Sequence, residues 1–490
     1  MESPGFDLLV IGGGVNGAGI ARDAVGRGHR VMLVERGDFA QATSSASSKL
    51  VHGGLRYLEH YEFRLVREAL AEREVLLRLA PHIIWPMRFV LPHRPEMRPR
   101  WMIRLGLFLY DHLARRVSLP GAEGFRTATH PFGAPLNPAI THAFAYSDGW
   151  VEDSRLVLLN ARDAAARGAA VHPRTEFLDA VRHPSHWEVR LRGPEGGFRV
   201  TARAIVNAAG PWVQQALAAA HTTPPGQVRL IRGSHIVVPK LHDGAQAYIL
   251  QNDDRRVVFV IPYEGEFSLI GTTDVPHEGD AATAHCTDAE AEYLIAAVNR
   301  QFRRQIGLSD IVWRYSGVRP LFDDGADDPS SVTRDYVLKL DDAGAPLLSV
   351  YGGKITTFRR LAEDATTLAG RALGHAGTPW TATATLPGGD LGGLDRAAFT
   401  AEMSRRYPWM PGMERLVRTH GGELPAMLDG ATGLQDMGTL FGAGLTCREI
   451  AWMREHEWAR TAEDVLWRRT KLGLHMNAAE REAVRVAMGG

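Results

Sequence analysis

The chain has 490 residues, 45% of them hydrophobic and 23% charged, a balance that supports several packed cores and excludes long-range disorder. Basic and acidic residues number 56 each, so overall charge points to neither nucleic acid nor a polyanion as partner. The two cysteines, Cys286 and Cys447, lie far apart without C-x-x-C spacing, which argues against a zinc site, an iron–sulfur cluster or a disulfide framework; no metal is expected.

In chain order, "MESPGFDLLVIGGG" runs straight into an apolar strand over 6–11, which leaves no room for a targeting peptide. That strand ends in glycines, as buried parallel strands do. A helix is expected over 15–28, a second strand over 30–36 and a long helix over 62–79. Residues 81–147 are proline-rich and read as irregular, apart from a helical segment around 100–116. A helix follows at 156–167, then short strands over 171–206, and alternating apolar runs between 228 and 275 predict an antiparallel sheet. "LLSVYGGKITTFRRLAEDA" (347–365) repeats the strand–glycine–helix punctuation, and past a linker at 385–393 the chain reads as helices. No stretch approaches the about 20 apolar residues of a membrane span. The expected fold class is α/β, with a Rossmann-like nucleotide domain built from segments 1–80, 151–215 and 331–380. Residues 81–150 would form a cap and candidate membrane-contact segment, 216–330 a mixed antiparallel-sheet substrate domain, and 390–490 an all-helical C-terminal domain.

The first turn carries G-x-G-x-x-G at Gly12, Gly14 and Gly17. The first glycine makes the turn, the second lets backbone approach a pyrophosphate, and the third packs helix on strand. Val15 and Asn16 then open a helix whose free N–H groups face the anion. Glu35, 18 residues past Gly17 and followed by Arg36, ends the second strand where a carboxylate can accept from ribose hydroxyls. An adenine dinucleotide follows, either NAD or FAD. Small-residue turns recur at Ala208, Ala209 and Gly210 and again at 352–353, whereas an NAD domain usually closes within one contiguous stretch; the recurrence favours FAD. Gly353, Lys354 and the N-cap candidates Thr356 and Thr357 would aim a helix N-terminus and an ammonium at the anionic edge of reduced flavin. Lysine occurs only at 49, 240, 339, 354 and 471, which makes Lys354 notable.

Several blocks taken together resemble one family: "SSASSKLVHGGLRYLEHYEFRLVREALAERE" (44–74), "SGVRPL" (316–321), "TRDY" (333–336), "GGKITT" (352–357) and "EHEWARTAEDVLWRRTKLGL" (455–474). They are similar to the FAD-dependent glycerol-3-phosphate dehydrogenases, whose FAD domain is of the glutathione-reductase/D-amino-acid-oxidase type, and the resemblance spans essentially the whole chain. It implies oxidation of sn-glycerol 3-phosphate at C2 to dihydroxyacetone phosphate, with hydride passing to flavin N5 and electrons to membrane quinone. It further implies FAD contacted by Thr43, Ser44, Ser45, Lys49, Leu50, His52, Gly53, Gly54, Phe177, Trp212, Ile355 and Thr356 besides the glycine turns; non-covalent binding is the default, with His52 a conceivable point of covalent attachment. A cytoplasmic protein attached peripherally to the inner face of the cell membrane would follow, with a homodimer also compatible. Without a cysteine-rich domain, a calcium loop or an obvious large insertion, the sequence departs from the anaerobic, mitochondrial and oxidase forms. An oxygen-using glycerol-3-phosphate oxidase and a flavin-binding metabolite sensor are the alternatives.

For the substrate phosphate the candidates are Arg56, Arg319 and Arg334, with Lys354 as a point charge, Tyr57 as a hydroxyl contact and Thr273 in the "GTTD" turn. Removal of the hydroxyl proton requires a base. His52 and His235 both have suitable ordinary pKa values near 6.5, and Arg319 would stabilise the developing charge; the sequence does not choose among them. In "RPEMRPRWMIRLGLFLYDHLARR" (94–116), Arg100, Arg104, Asp111 and Arg115 fall on one helical stripe and apolar residues cover the rest. A core helix with one wet edge and a segment lying among lipid headgroups over about 100–113 both fit this pattern.

Overall fold

The computed structural model describes residues 5–55, 58, 61–114, 117, 119–254, 256–323 and 335–489. Arg56, Tyr57 and Arg334, three of the candidate substrate ligands, lie outside the described residues, as does Arg115.

The chain opens with β1 (Gly5–Ile11), α1 (Val15–Gly26), β2 (Val31–Glu35) and, past a short 3-10 turn at Thr43–Ser45, β3 (Leu50–Val51) and α2 (Phe63–Leu79). Next come β4 (Ile84–His93), α3 (Arg100–His112), β5 (Glu123–Arg126), β6 (His142–Val151) and α4 (Asp153–Ala166). Strands β7 (Ala170–Pro173), β8 (Glu176–Arg182), β9 (Trp187–Gly193) and β10 (Gly196–Asn207) lead into α5 (Val213–Ala219). The middle of the chain is β11 (Gln227–Pro239), β12 (Ala247–Gln251), β13 (Val257–Tyr263), β14 (Phe267–Gly271), β15 (Val275–Pro276), α6 (Asp288–Gln301) and β16 (Trp313–Asp323). Then β17 (Val337–Asp341), β18 (Leu347–Tyr351) and α7 (Phe358–Ala372) precede the C-terminal region.

The first sheet has eight strands with the path β17–β18–β10–β1–β2–β7, and β9 joins β10 antiparallel with β8 beyond it. The contacts among β18, β10, β1, β2 and β7 are all parallel. Strands buried on both faces must be apolar throughout, which is why "LLVI" and "VMLV" read as continuous runs. Helix α1 packs between α4 and α7, and together they bury the core that includes Leu8, Val10, Ile20, Leu33, Val157 and Leu361.

The second sheet has ten strands, with the path β15–β11–β14–β13–β12–β4–β6–β3, β16 on β11 and β5 on β6. Residues 84–93 and 142–151 correct the expectation of irregular structure, for they pair antiparallel over their whole length. Pro86 and Pro92 hid the first of them. On its other side β4 meets β12 only at Phe89 and Val90, so the missing N–H groups fall outside that short contact.

The C-terminal region holds α8 (Arg396–Arg406), α9 (Met413–His420), α10 (Leu424–Met427), α11 (Cys447–His456) and α12 (Ala478–Ala487), around two small cores of its own. It is helical except for a two-stranded hairpin, β19 (Leu440–Gly442) with β20 (Leu445–Thr446); a π-helical turn covers Asp464–Arg469.

Candidate active site

The three glycine turns meet at the C-terminal ends of β1, β10 and β18. The Ala208 N–H donates to Ile11 O at 2.9 Å, and Asn16 Nδ2 donates to Gly352 O at 3.1 Å. Space here is set by missing side chains. A Cβ on Gly12, where φ is +108°, would sit 2.5 Å from Ala208 O, and one on Gly17 would sit 1.9 Å from Gly12 O. Glu35 accepts from Gly13 N at 2.7 Å and from Gly37 N at 2.8 Å, which fixes its carboxylate at the tip of β2. Burial pushes its pKa up, and the two N–H bonds oppose that. Arg36 lies over the Trp212 ring at 3.9 Å, so β2 and the Ala208–Trp212 turn close on each other from the solvent side. Phe177 packs partly buried on β8, which begins beside β2.

Loop 43–54 runs between this sheet and the second one. Ser44 Oγ accepts the Val15 N–H at 3.0 Å, and Thr43 Oγ1 donates to Val318 O on β16 at 2.7 Å. Tyr315 OH, also on β16, donates to Ser47 O at 2.8 Å. A Cβ on Gly317 would meet Ala46 at 3.0 Å, so the loop lies flat on that strand. On the other side Thr356 Oγ1 accepts the His52 N–H at 3.1 Å, tying the loop to the Gly352–Thr357 turn that opens α7. Thr357 occupies the N-cap of α7, but its hydroxyl makes no capping bond.

Beneath the His52–Gly54 turn is a buried polar network. The Gly53 N–H donates to Tyr110 OH at 2.8 Å, and Tyr110 OH donates to Asp148 at 2.7 Å. Asp148 is paired with Arg73 at 2.7 Å, both side chains being 2% exposed. Nothing in the local sequence marks Tyr110, Asp148 and Arg73 as belonging to this turn, because they come from α3, β6 and α2. The His52 ring packs edge-on against Phe259 at 6.3 Å. Burial lowers its pKa, Asp148 raises it, and Lys354 and Arg73 lower it further, so the ring is neutral at pH 7.

Phe259 stands opposite Gly271 in the β13–β14 ladder, and Gly271 leads into Thr272. A Cβ on Gly233 would lie 2.6 Å from Thr272 Oγ1 and 2.9 Å from Arg319 Nη2. Arg319 donates from Nη2 to Thr273 O at 3.3 Å and Asp274 Oδ1 at 3.1 Å, and its side chain is 44% exposed. His52, Phe259, Thr272 and Arg319 thus form a series of neighbours on the second sheet, facing the loop that reaches the glycine turns.

The surroundings of five candidate residues differ from their expected roles. Lys49 does not reach out to a cofactor; its ammonium is bonded to both Asp153 oxygens at 2.7 and 2.8 Å and to Ser45 O at 3.0 Å, with both side chains 0% exposed. His235 is not suited to be a base. Burial and the charges of Lys49 and Arg319 push its pKa down to about 3, while Nε2 is engaged by Ser48 Oγ at 2.9 Å and the ring stacks on Tyr315. Thr273 points its hydroxyl away, to Glu290 at 2.8 Å, while accepting the Ser234 N–H. Leu50 buries its side chain among Val66, Tyr110 and Trp150, leaving only backbone for any cofactor contact. Ile355 packs against the core that holds Val51 and Phe358.

The residues present fit an FAD molecule. The Asn16 Oδ1 is buried without a partner beside the Gly353 turn, where φ is +96°, and Gly210, at φ +57°, has open space where its Cβ would stand.

Residues 7–359 match the family described as FAD dependent oxidoreductase, and residues 379–488 match the C-terminal domain of alpha-glycerophosphate oxidase. Among curated proteins, the chain is 52% identical over 483 residues to the D-erythritol 1-phosphate dehydrogenase of Brucella abortus (strain 2308), covering 97% of this chain and 96% of that one. It is 51% identical over 487 residues to the aerobic glycerol-3-phosphate dehydrogenase of Escherichia coli (strain K12), covering 98% and 96%. Among solved structures, the glycerol-3-phosphate dehydrogenase of Bacillus halodurans complexed with FAD superposes with a TM-score of 0.75 at 25% identity, over 99% of this chain and 93% of that one.

Proposed function

This chain belongs to the FAD-dependent oxidoreductases, in the branch of the glycerol-3-phosphate dehydrogenases, and from that premise we propose that it oxidises sn-glycerol 3-phosphate at C2 to dihydroxyacetone phosphate. The observation that carries the reading is loop 43–54, which joins the glycine turns on one side to His52, Phe259, Thr272 and Arg319 on the other. Bound FAD supplies the two-electron acceptor. The chain supplies position and charge. Arg319 is held by Thr273 O and Asp274 with part of its guanidinium open, so it can meet a phosphate or a developing alkoxide through charge-assisted hydrogen bonds. The neutral His52 imidazole is the proton acceptor for the substrate hydroxyl, a role that His235 cannot share with its pKa near 3. Lys354, in the turn before α7, adds positive charge beside His52. Arg56, Tyr57 and Arg334 stand with Arg319 in this reading as phosphate ligands.

D-erythritol 1-phosphate is the second reading, favoured by the 52% identity to a dehydrogenase of that name. Both substrates carry a phosphomonoester on a primary carbon next to a secondary alcohol, so one phosphate anchor and one base serve either. The test is anaerobic addition of each compound to the yellow holoenzyme. Rapid bleaching by glycerol 3-phosphate, at a rate constant per unit concentration at least as large as for the four-carbon compound, is the expected result. Bleaching by erythritol 1-phosphate alone would transfer the assignment to the second reading, and a flavin that stays yellow with both would leave the protein a binding module.

Membrane quinone as acceptor, rather than oxygen, is supported by α3. Trp101, Leu105 and Phe108 on that helix are 64%, 51% and 56% exposed, with Arg100 and Arg104 exposed beside them. Asp111 departs from the expected wet stripe, for it is buried and accepts the Ala122 N–H at 2.6 Å. Among the described residues no helix is long and apolar enough to cross a membrane. An exposed apolar face edged with arginine suits the headgroup region at the cytoplasmic face. In flotation with anionic liposomes the wild type should rise with the vesicles and the Trp101→Glu, Phe108→Glu variant should remain in the dense fraction; equal flotation would remove α3 from the contact. Quinone analogue should then reoxidise the bleached flavin much faster than air does, the reverse order identifying an oxidase.

A further inference from the structure

Segment 457–471 of the C-terminal region meets the nucleotide-binding part of the chain at two places, each directly behind a loop of the flavin site. At the first, Arg468 Nε and Arg469 Nη1 both donate to Asp38 Oδ2 at 2.6 Å, and Arg469 Nη2 donates to Asp38 Oδ1 at 2.9 Å. Asp38 lies three residues past Glu35, and its neighbour Phe39 fills the space where a Cβ on Gly13 would come within 2.6 Å. Trp458 packs edge-on against Phe39 at 5.3 Å. Asp464 of the same segment accepts from Arg174 Nη2 at 2.5 Å, while the Arg174 N–H donates to Gly37 O at 2.8 Å. The loop 35–39, whose carboxylate holds the Gly13 N–H, is therefore gripped on its outer side by four residues of this segment.

At the second place Lys471 reaches the start of α4. Its ammonium donates to Trp467 O and lies 3.4 Å from Ser154 Oγ, next to Asp153. Asp153 accepts from Lys49 and from Ser47 Oγ at 2.8 Å, and so closes the serine loop whose Ser44 holds the Val15 N–H. Asp38, Arg469, Asp153 and Lys471 are each 4% exposed or less. Buried charges tolerate only the geometry that satisfies all of them, so a junction made of them fixes the loops it touches.

We propose that Arg468, Arg469 and Lys471 act as positioning residues for the flavin site, through which the C-terminal domain sets the shape of loops 35–39 and 44–49 and so governs how tightly FAD is retained. The inference rests on the flavin dependence of the family and is independent of which polyol phosphate is oxidised. A control is built into the same junction. Arg162 on α4 pairs with Glu423 of the C-terminal region at 2.6 Å and lies 3.9 Å from Glu457, yet neither Arg162 nor Glu423 bonds to loop 35–39 or 44–49.

The test follows FAD release from diluted holoenzyme by the rise in flavin fluorescence, which needs no substrate. Asp38→Asn and Lys471→Met should each speed release about tenfold or more, the size expected for losing one charge-assisted hydrogen bond behind a binding loop, and Glu423→Gln should stay within about twofold of wild type. Arg468→Lys, a milder change that keeps the charge and loses the fork, should fall between and provides the readout if the other variants do not fold. Release from the Asp38, Arg468 and Lys471 variants no faster than from Glu423→Gln would overturn the proposal, because the junction would then be a general brace. The polyol reading fails separately, in the bleaching experiment.

Discussion

Replacing Asp153 with alanine should lower stability by about 3–5 kcal/mol, because it strands the Lys49 ammonium at 0% exposure with Lys471 close by. The measurement is the denaturant midpoint of the transition that carries the flavin signal. The companion variant Asp153→Ala, Lys49→Met should recover more than half of the loss, since it removes the orphaned charge along with its partner. A single variant as stable as wild type would mean that the ammonium finds water, and the loop would have no need of the pair. Acid has a defined effect as well. Burial raises the Asp153 pKa, but Lys49 and Lys471 outweigh it and hold the carboxyl below its ordinary 3.8, so the contribution is complete above that value and is lost as pH falls through the lower, folded-state one.

The second large effect belongs to Arg319. Arg319→Met should reduce kcat/KM for glycerol 3-phosphate by about 10–150-fold, the equivalent of about 1.5–3 kcal/mol for a hydrogen bond to a charged group, while the rate of FAD release stays as in wild type. Arg319→Lys should recover only part of the loss, because an ammonium keeps the charge but not the fork. An unchanged kcat/KM would take Arg319 out of the substrate pocket. Loss of flavin would instead make it a prop for Thr43, whose hydroxyl donates to the neighbouring Val318 O.

What could be read from the sequence follows the range of the interactions involved. The glycine fingerprint, the strand it terminates and the helix it opens are local, so the turns at Gly12–Gly17 and Gly352–Gly353 and the elements around them can be read from the sequence alone. The recurrence of such turns also pointed to a sheet assembled from separated segments, as observed in the β18–β10–β1–β2 path. The local sequence misplaces Lys49 because its partner is 104 residues away. Isolated in a loop of serines, a lysine looks like an anion ligand; across from Asp153 it is half of a buried pair. His235 sits in an apolar strand, yet nothing local reveals that Ser48 and Tyr315 enclose it, and enclosure is what removes its basicity. The direction of Thr273 depended on Glu290, a helix residue whose own position is fixed by the Thr287 capping box. Strand β4 escapes a local reading because proline is a reliable breaker only where the lost N–H has a partner to lose.

The order of the first sheet also has a consequence in time. Strand β1 lies between β2, which follows it closely, and β10, which emerges about 200 residues later, and the turn after β18 is not made until residue 351 has passed. At the usual 5–20 residues per second, a ribosome needs roughly 20–70 s between the first glycine turn and the last. Until β10 arrives the nascent chain carries only the first of the three turns and an unpaired, largely apolar edge on β1. Completion of the three glycine turns is therefore a late event in the life of each molecule, and the cofactor can meet all of them only once nearly three quarters of the chain has been made.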